Sequence, residues 1–289
     1  MIYTYGVTQR GYYHIKKDIV CQDAHAIKQI AKDCCIAAVA DGLGSELYTD
    51  KASRIAVDTV VEYCSAHINV TSPSEQILLC LQEAYHAAIQ AIEQEALSSQ
   101  HEINQYDTTL TCALLIGETL YYGHSGDSGI IALLKSGEFQ AVTEQQRDES
   151  GCVYPLCFTD KWNFGSVQGV ASVLLATDGM LDTLFPSLLF NEPINIYVAL
   201  ASYLMDNDNV GFETLTNEQV QEKMEKFVSG IAEAQVSDDK TIVAIINVGA
   251  EKTRQPEEYY QVPNWAELKR KKDEEFRRLA YPHMYKKEE

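Results

Sequence analysis

Four aspartates stand where an apolar stretch ends in a polar turn, a placement that could gather carboxylates at one site. They are Asp23 in CQDAH, Asp41 in VADGLGS, Asp178 in LLATDGM and Asp238 in SDDKT. Each neighbouring stretch is apolar enough for a buried strand, so the acidic strand ends could converge at one rim of the sheets. Clustered carboxylates repel one another unless cations hold them. The pattern therefore predicts a cation site.

The types of ligand favour a hard cation. Carboxylate oxygens are supplied by the aspartates, and Gly42 allows a backbone carbonyl to approach an ion. No His or Cys clusters with them in the sequence, so Mg²⁺ or Mn²⁺ fits better than Zn²⁺. Two such ions about 4 Å apart can hold a bridging water, lower its pKa and neutralise a phosphoryl group in transfer. We expect a dinuclear hydrolytic centre, although any single Asp-Gly pair is also typical of a plain turn.

Composition bounds the remaining possibilities. The chain has 289 residues, of which 46% are hydrophobic, enough for one main domain. A net charge of −19 argues against a nucleic-acid partner, which would need a basic surface. Eight cysteines without paired CxxC elements indicate reduced thiols. No membrane-spanning run or secretory signal is apparent, so we expect no membrane partner and a cytoplasmic location.

Strands and helices that could position the aspartates come in blocks. Periodicity predicts strands at 2–8, 24–30, 34–40, 109–116, 119–125, 129–134, 171–177 and 241–248. Helices are predicted at 49–67 and 73–98 and through most of 180–236. Capping boxes are expected at Ser72 with Glu75 and at Thr216 with Gln219. The three strands from 109 to 134 suggest an antiparallel meander. This order favours an α+β sandwich of antiparallel sheets with helices outside, rather than a doubly wound parallel sheet.

We divide the chain into a catalytic domain at 1–249 and a charged, partly helical tail at 250–289. The tail begins with a Gln-Pro-Glu-Glu linker, and Asn264 could cap a helix. Its apolar residues fall near helical spacing: Trp265, Leu268, Phe276 and Leu279. Docking on the body or on a partner protein, and a mobile charged helix, both stay open.

Several short motifs resemble those of the metal-dependent type 2C serine/threonine protein phosphatases, in a divergent bacterial-type branch. They are QDA at 22–24, VADGLG at 39–44, DTTL at 107–110, HSGDS at 124–128, ATDGM at 176–180 and SDDKT at 237–241. They arrive in the family's order and run from about residue 3 to 248. The resemblance implies two antiparallel β-sheets flanked by helices on both sides, and hydrolysis of phosphomonoesters.

The resemblance also implies roles for single residues. Asp41 would bridge both metal ions, and Asp23 with the Gly42 carbonyl would complete one site. Asp178 and Asp238 would hold the other ion. Asp127, in the GDS element, resembles the residue that supports a third metal in bacterial members. Water or hydroxide bridging the two ions would attack the phosphorus directly, so Asp41 and Asp23 would be catalytic through it.

The positions that correspond to phosphate-binding residues in the family depart from its usual pattern. Asp18 stands where an arginine is usual, which leaves Lys17 as a candidate phosphate ligand or an exposed structural lysine. His14 could handle phosphate or a proton, or be structural. Leu43 stands where the animal enzymes carry a histidine. Two more positions lack the commoner glycine: Ser45 and Asp107.

We favour a phosphoprotein phosphatase that acts on phosphoserine and phosphothreonine, with 180–210 as the flap that meets the substrate. One alternative is a catalytically weak phosphatase-like binding or regulatory module, which the missing arginine motivates. Another is a metal-dependent hydrolase of small phosphorylated metabolites, which would need a deeper pocket.

Overall fold

Two five-stranded antiparallel β-sheets lie at the centre of the chain, in strand orders β1-β10-β9-β6-β7 and β2-β3-β4-β5-β8. The computed structural model describes residues 1–44 and 46–281, so Ser45 and the last eight residues of the predicted tail lie outside the described residues. The strands are β1 (Ile2–Gln9), β2 (Asp23–Ala31), β3 (Cys34–Asp41), β4 (Leu110–Ile116), β5 (Thr119–Ser125), β6 (Gly129–Leu134), β7 (Phe139–Ala141), β8 (Asn163–Gln168), β9 (Val170–Ala176) and β10 (Lys240–Asn247).

The described residues form eight α-helices, most of which cover the outer faces of the two sheets. They are α1 (Tyr12–Lys17), α2 (Thr49–His67), α3 (Ser74–Ser99), α4 (Asp178–Leu184), α5 (Val198–Met205), α6 (Asn207–Val210), α7 (Asn217–Ser229) and α8 (Trp265–Ala280). Helices α2 and α3 pack on one sheet, and α4 to α7 pack on the other. The predicted α+β sandwich with helices on both sides is confirmed.

Strand β3 shows why the sequence 34–40 is almost continuously apolar. Cys34, Ile36 and Ala38 belong to the cluster under α2 and α3, whereas Cys35 and Ala37 lie between the two sheets. Because successive side chains of a strand point to opposite faces, a strand covered on both sides needs apolar residues at every position. All eight cysteines are free thiols.

Several predicted elements need correction. β6 leaves the predicted meander, because after pairing of β4 with β5 the chain crosses to the other sheet, where β6 pairs with β9 and β7. Ser72 does not cap α3, which begins at Ser74 after Pro73 without a side-chain cap. The box at Thr216 and Gln219 is confirmed, and its helix ends at Ser229 rather than near Ala234.

The predicted tail divides into two parts. Residues 250–260 lie along the body, where Thr253 N–H donates to the Lys135 carbonyl at 2.7 Å. Tyr259 packs against the hydrophobic cluster between α4 to α7 and their sheet. The helix α8 follows, capped by Asn264, and Trp265 contacts the Tyr197 ring edge-on at 5.1 Å. Among residues 1–44 and 46–281, no helix combines the length and the apolar character that a membrane crossing requires.

Candidate metal centre

Strand pairing brings the aspartates of β2 and β3 side by side. Asp23 and Asp41 stand opposite each other at the ends of the two antiparallel strands. The Asp41 backbone is held by the two residues that precede β4, since Thr109 Oγ1 accepts from the Asp41 N–H at 2.9 Å and Thr108 Oγ1 donates to the Asp41 carbonyl at 2.9 Å. Gly42 follows where a Cβ would lie 2.6 Å from Thr49, so this turn admits only glycine. Thr108 and Thr109 of the DTTL element therefore hold the backbone where the Asp41-Gly42 turn begins.

Three carboxylates from three elements converge beside this turn. Asp41, Asp127 and Asp178 each offer an oxygen, and these oxygens all lie within 4.8 Å of one another. Asp127 comes from the turn in which the chain crosses from β5 to β6, and Asp178 begins α4 after β9. All three line a cleft of about 370 Å³, together with Gly42 and Asp238.

Crowding of these carboxylates alters their acidity. Burial raises the pKa of Asp41 well above its ordinary value, and the charges of Asp23, Asp178 and Asp127 add to the effect. Burial and the neighbouring Asp127 and Asp238 raise the pKa of Asp178 to about 7. Such shifts mark a place where buried negative charges crowd together, which a bound cation would relieve.

Asp23 lies behind the trio rather than within it. Its side chain is buried and accepts a hydrogen bond from Thr177 Oγ1 at 2.8 Å. Burial raises the pKa of Asp23 well above its ordinary value, while the bond from Thr177 opposes that rise. The carboxylate borders the Asp41 carboxylate through strand pairing, and it does not line the cleft.

Asp238, Asp239 and His14 form a second group whose ligand atoms lie within 4.8 Å of one another. Asp238 is exposed and lines the cleft, whereas Asp239 is buried. Asp239 accepts from the N–H groups of Gly11 at 2.6 Å and Gln22 at 2.7 Å, and its Oδ2 lies 2.8 Å from His14 Nδ1. His14 Nε2 faces Asp238 at 3.9 Å. Asp239 therefore lies against His14 at the edge of the cleft.

The predicted phosphate ligands are placed differently from each other. His14 is buried and lines the cleft. Lys17 is exposed on α1 and is not among the residues that line the cleft. Asp18, at the position usual for arginine, points to solvent and lies 3.5 Å from the Arg10 guanidinium. Of the two predicted phosphate ligands, His14 alone lines the cleft.

Arg147 is a cleft residue that the sequence did not predict. Its guanidinium donates to Asp127 Oδ2 at 2.5 Å and lies 3.7 Å from Asp178 Oδ2. Arg147 belongs to the β7–β8 loop, residues 142–162, which has no motif that would have signalled it. Asp239 was also missed, although its neighbour Asp238 in SDDKT marks the position. The segment 180–210 contributes no residue to the cleft lining, whereas the β7–β8 loop contributes Arg147 and Val153.

The donor set fits divalent cations. Asp127 Oδ1 is buried and has no hydrogen-bond partner, although Oδ2 of the same carboxylate is paired with Arg147. An orphaned buried carboxylate oxygen is costly unless an ion or another donor satisfies it. The remaining donors are carboxylates and the Gly42 backbone, which suit Mg²⁺ or Mn²⁺.

Fold and site together define an α-β-β-α sandwich with acidic residues gathered at one rim. The model of the protein phosphatase 2C family matches residues 10–229. The chain belongs to the protein phosphatase 2C family.

Solved structures share this fold at low sequence identity. A bacterial serine phosphatase superposes with a TM-score of 0.60 at 14% identity, over 88% of this chain and 100% of that one. The serine/threonine phosphatase Stp1 from Staphylococcus aureus gives 0.58 at 15% identity, over 85% and 95%. The Mycobacterium tuberculosis serine/threonine phosphatase PstP/Ppp gives 0.54 at 19% identity, over 85% and 98%. No curated protein sequence matches the chain significantly.

Proposed function

We propose that the chain is a metal-dependent serine/threonine phosphoprotein phosphatase. The observation that carries this proposal is the convergence of Asp41, Asp127 and Asp178 in one cleft, with oxygens within 4.8 Å of one another and raised pKa values for all three. Membership of the protein phosphatase 2C family supports the reaction class.

We assign the ligands of two divalent cations, Mn²⁺ or Mg²⁺, to five residues. They are Asp23, Asp41, the carbonyl of Gly42, Asp178 and Asp238. Asp127, with its unpartnered oxygen, is the candidate for a third ion. Bound there, the ions would activate water as the nucleophile and offset charge on the phosphoryl group.

The chain's own residues would hold this arrangement in place. Thr108 and Thr109 fix the Asp41 backbone, so its carboxylate does not have to be ordered when the substrate arrives. Thr177 orients Asp23. Asp239 holds His14 with Nε2 towards the cleft, where it could contact phosphate or exchange a proton with the leaving oxygen. Lys17 stays a second candidate for phosphate.

Phosphoserine and phosphothreonine proteins are the proposed substrates, with the cytoplasm as the proposed location. The net charge of −19 favours substrates that carry basic residues near the phosphate and disfavours nucleic acid.

The test is phosphate release from a phosphothreonine peptide and from p-nitrophenyl phosphate, measured with Mn²⁺, with a chelator and in the Asp41→Ala variant. We expect Mn²⁺-dependent turnover of both compounds. Asp41→Ala should lower kcat/KM by more than about a hundredfold, since even groups behind metal ligands contribute about ten- to hundredfold. Asp160→Asn, on the exposed side of the β7–β8 loop, is the matched carboxylate control.

Two results would contradict the proposal in different ways. If neither compound is hydrolysed with Mn²⁺ present, the chain is a binding module rather than an enzyme. If p-nitrophenyl phosphate and small phosphorylated metabolites are hydrolysed but no phosphopeptide is, the chain is a small-molecule hydrolase.

A further inference from the structure

Arg147 is the one lysine or arginine among the described residues that line the acidic cleft. Its guanidinium contacts Asp127 and, more distantly, Asp178, and it also donates to the Gly151 carbonyl at 3.2 Å. The side chain is 38% exposed, so part of the guanidinium faces the open cleft. A cation of fixed charge therefore stands at the mouth of a site that is otherwise acidic.

The base of the β7–β8 loop is attached to the turn that carries Asp127. Gln146 N–H donates to the Gly126 carbonyl at 2.8 Å, and Gly126 N–H donates to Gln146 Oε1 at 3.0 Å. His124 Nε2 lies 2.9 Å from the Glu144 carbonyl. These contacts hold the backbone next to Arg147, so its side chain reaches the cleft from a positioned anchor rather than from a free loop.

A phosphomonoester dianion needs a cationic partner in this cleft besides metal ions. Asp18 points away from the cleft, and Lys17 is exposed outside it. A guanidinium presents a planar fork of donors that matches two phosphoryl oxygens, whereas an ammonium provides a point charge. Arg147 has both the chemistry and the location that the residues near position 18 lack.

We propose that Arg147 binds the phosphoryl group of the substrate, taking the role of the arginine that is absent at position 18. The inference rests on the proposed phosphatase function. Asp127 and Asp178 are also the carboxylates proposed to hold cations, so bound cations would compete with Arg147 for their oxygens. With these oxygens bound to cations, the guanidinium would be free to contact a phosphoryl group at the same edge of the cleft.

Binding of inorganic phosphate to the Mn²⁺-loaded full chain tests this role directly, by isothermal titration calorimetry. The variants are Arg147→Gln and Arg147→Lys, with Lys161→Gln as the matched control on the same loop. Arg147→Gln should weaken phosphate binding and raise KM for p-nitrophenyl phosphate by about tenfold to a hundredfold, the value of hydrogen bonds between charged groups. Arg147→Lys should fall between wild type and Arg147→Gln, and Lys161→Gln should match wild type.

A parallel Mn²⁺ titration of the same variants separates phosphate binding from metal binding. We expect Arg147→Gln to bind Mn²⁺ at least as tightly as wild type, because one competing cation has been removed. If phosphate affinity and KM are unchanged and only Mn²⁺ binding tightens, Arg147 merely neutralises the carboxylates in place of a metal ion, and the proposal is overturned. If Mn²⁺ binding weakens in proportion to phosphate binding, the residue supports the metals and the proposal is likewise overturned.

Three further results distinguish this proposal from others. Loss of phosphate binding in Lys17→Gln, with Arg147→Gln behaving as wild type, would transfer the role to Lys17. A wild-type chain that binds Mn²⁺ and hydrolyses p-nitrophenyl phosphate, but shows no effect of Arg147, refutes this inference alone. A wild-type chain that neither binds Mn²⁺ nor hydrolyses the ester refutes the proposed function and this inference together.

Discussion

The carboxylate of Asp178 illustrates how crowding of negative charge in the cleft weakens the fold. Burial and the charges of Asp127 and Asp238 raise its pKa to about 7, above the ordinary value of 3.8. Between these two values the folded state binds more protons than the unfolded state. Stability is therefore favoured at low pH and lost as the pH rises through about 7.

We predict that Asp178→Asn stabilises the metal-free protein at pH 8 while removing a proposed metal ligand. An amide has no charge to repel Asp127 and Asp238, so the free energy of unfolding should rise by about 1–2 kcal/mol. This is less than the full free energy that corresponds to the raised pKa of Asp178. The gain should shrink towards pH 5, where the wild-type carboxyl is protonated. Urea denaturation in a chelating buffer measures both values, and a variant less stable than wild type at pH 8 contradicts the argument.

Single residues of the site were predictable to different degrees. Asp41 and Asp178 lie at or just after the ends of strands and Asp238 lies just before one, each in a short motif, and the structure brings all three to the cleft. Arg147 was not predictable, because nothing in a loop sequence specifies where a long side chain will reach. Asp239 stands beside Asp238, and sequence alone does not tell which of two adjacent carboxylates faces inward.

Asp239 joins the N-terminal segment to β10 and is the central contact between these elements. Its two oxygens accept from the backbone N–H groups of Gly11 and Gln22, which flank α1. A Cβ at Gly11 would lie 2.1 Å from the backbone of Asp238, so the two segments approach closely. One buried carboxylate therefore positions the helix that carries His14.

We predict that Asp239→Asn destabilises the chain by about 2–3 kcal/mol, since an asparagine side chain can accept only one of the two N–H groups through its single oxygen. The other N–H would face the amide nitrogen and stay buried without a partner. Urea unfolding of the metal-free protein measures the loss. Asp160→Asn, on an exposed carboxylate of the β7–β8 loop, is the control and should change stability by less than about 0.5 kcal/mol. Equal effects of the two variants would argue against this role.

The β7–β8 loop depends on a neutral histidine. His124 is buried between Thr111 Oγ1 at 2.9 Å and the Glu144 carbonyl at 2.9 Å. Nε2–H donates to the carbonyl and Nδ1 accepts from the hydroxyl. Burial lowers the pKa of His124 from 6.5 to about 4. The unfolded state therefore binds the proton more readily, and this contribution to stability is lost as the pH falls through 6.5 towards 4.

We predict that acidification from pH 7.5 to 5 costs the wild-type protein about 2 kcal/mol through His124. Carboxylates with raised pKa values act in the opposite direction, so the quantity to compare is the difference between wild type and His124→Gln over this pH range. The variant should lack this acid-dependent loss. His67→Gln, on an exposed histidine at the end of α2, should keep it. Identical pH profiles for wild type and His124→Gln would contradict the assignment.

Elements with strong hydrophobic periodicity were predicted well, and weakly patterned ones were missed. The predicted ranges for β3, β5 and β6 agree with the structure within a residue. β7 has three residues, and β8 is a partly exposed edge strand with the sequence NFGSVQ, so neither presents a long apolar pattern. The change of sheet between β5 and β6 was also missed, because short breaks look alike whether they join paired strands or cross between sheets.

Across the whole molecule, the order of elements was enough to predict the sandwich. Strands 34–40, 171–177 and 241–248 are apolar at nearly every position, which fits strands covered on both faces. The boundary at 249 is a different case, because charge and a Pro-containing linker do not show whether a segment packs on the body. Tyr259 and Tyr260 follow that boundary in the sequence, and both pack against the hydrophobic cluster between α4 to α7 and their sheet.

Lys252 is the clearest link between residues 250–260 and the body. Its ammonium lies 2.5 Å from Asp206 Oδ1 and 3.2 Å from Asp208 Oδ2, and Asp206 is buried. The Tyr259 hydroxyl accepts from the Phe139 N–H at 2.8 Å. By contrast, α8 has no buried residue. Stability should therefore depend on 250–260 far more than on the helix that follows.

We predict that a chain ending at residue 263 keeps the stability of the full chain within about 1 kcal/mol, whereas one ending at 249 loses about 3–5 kcal/mol, because Asp206 loses its ion-pair partner and the packing of Tyr259 and Tyr260 is removed. Urea unfolding of the three chains, all without metal, measures both differences. Lys252→Met in the full chain isolates the ion pair and should reproduce most of the loss. If the chain ending at 249 is as stable as the chain ending at 263, residues 250–260 are an appendage rather than part of the folded domain.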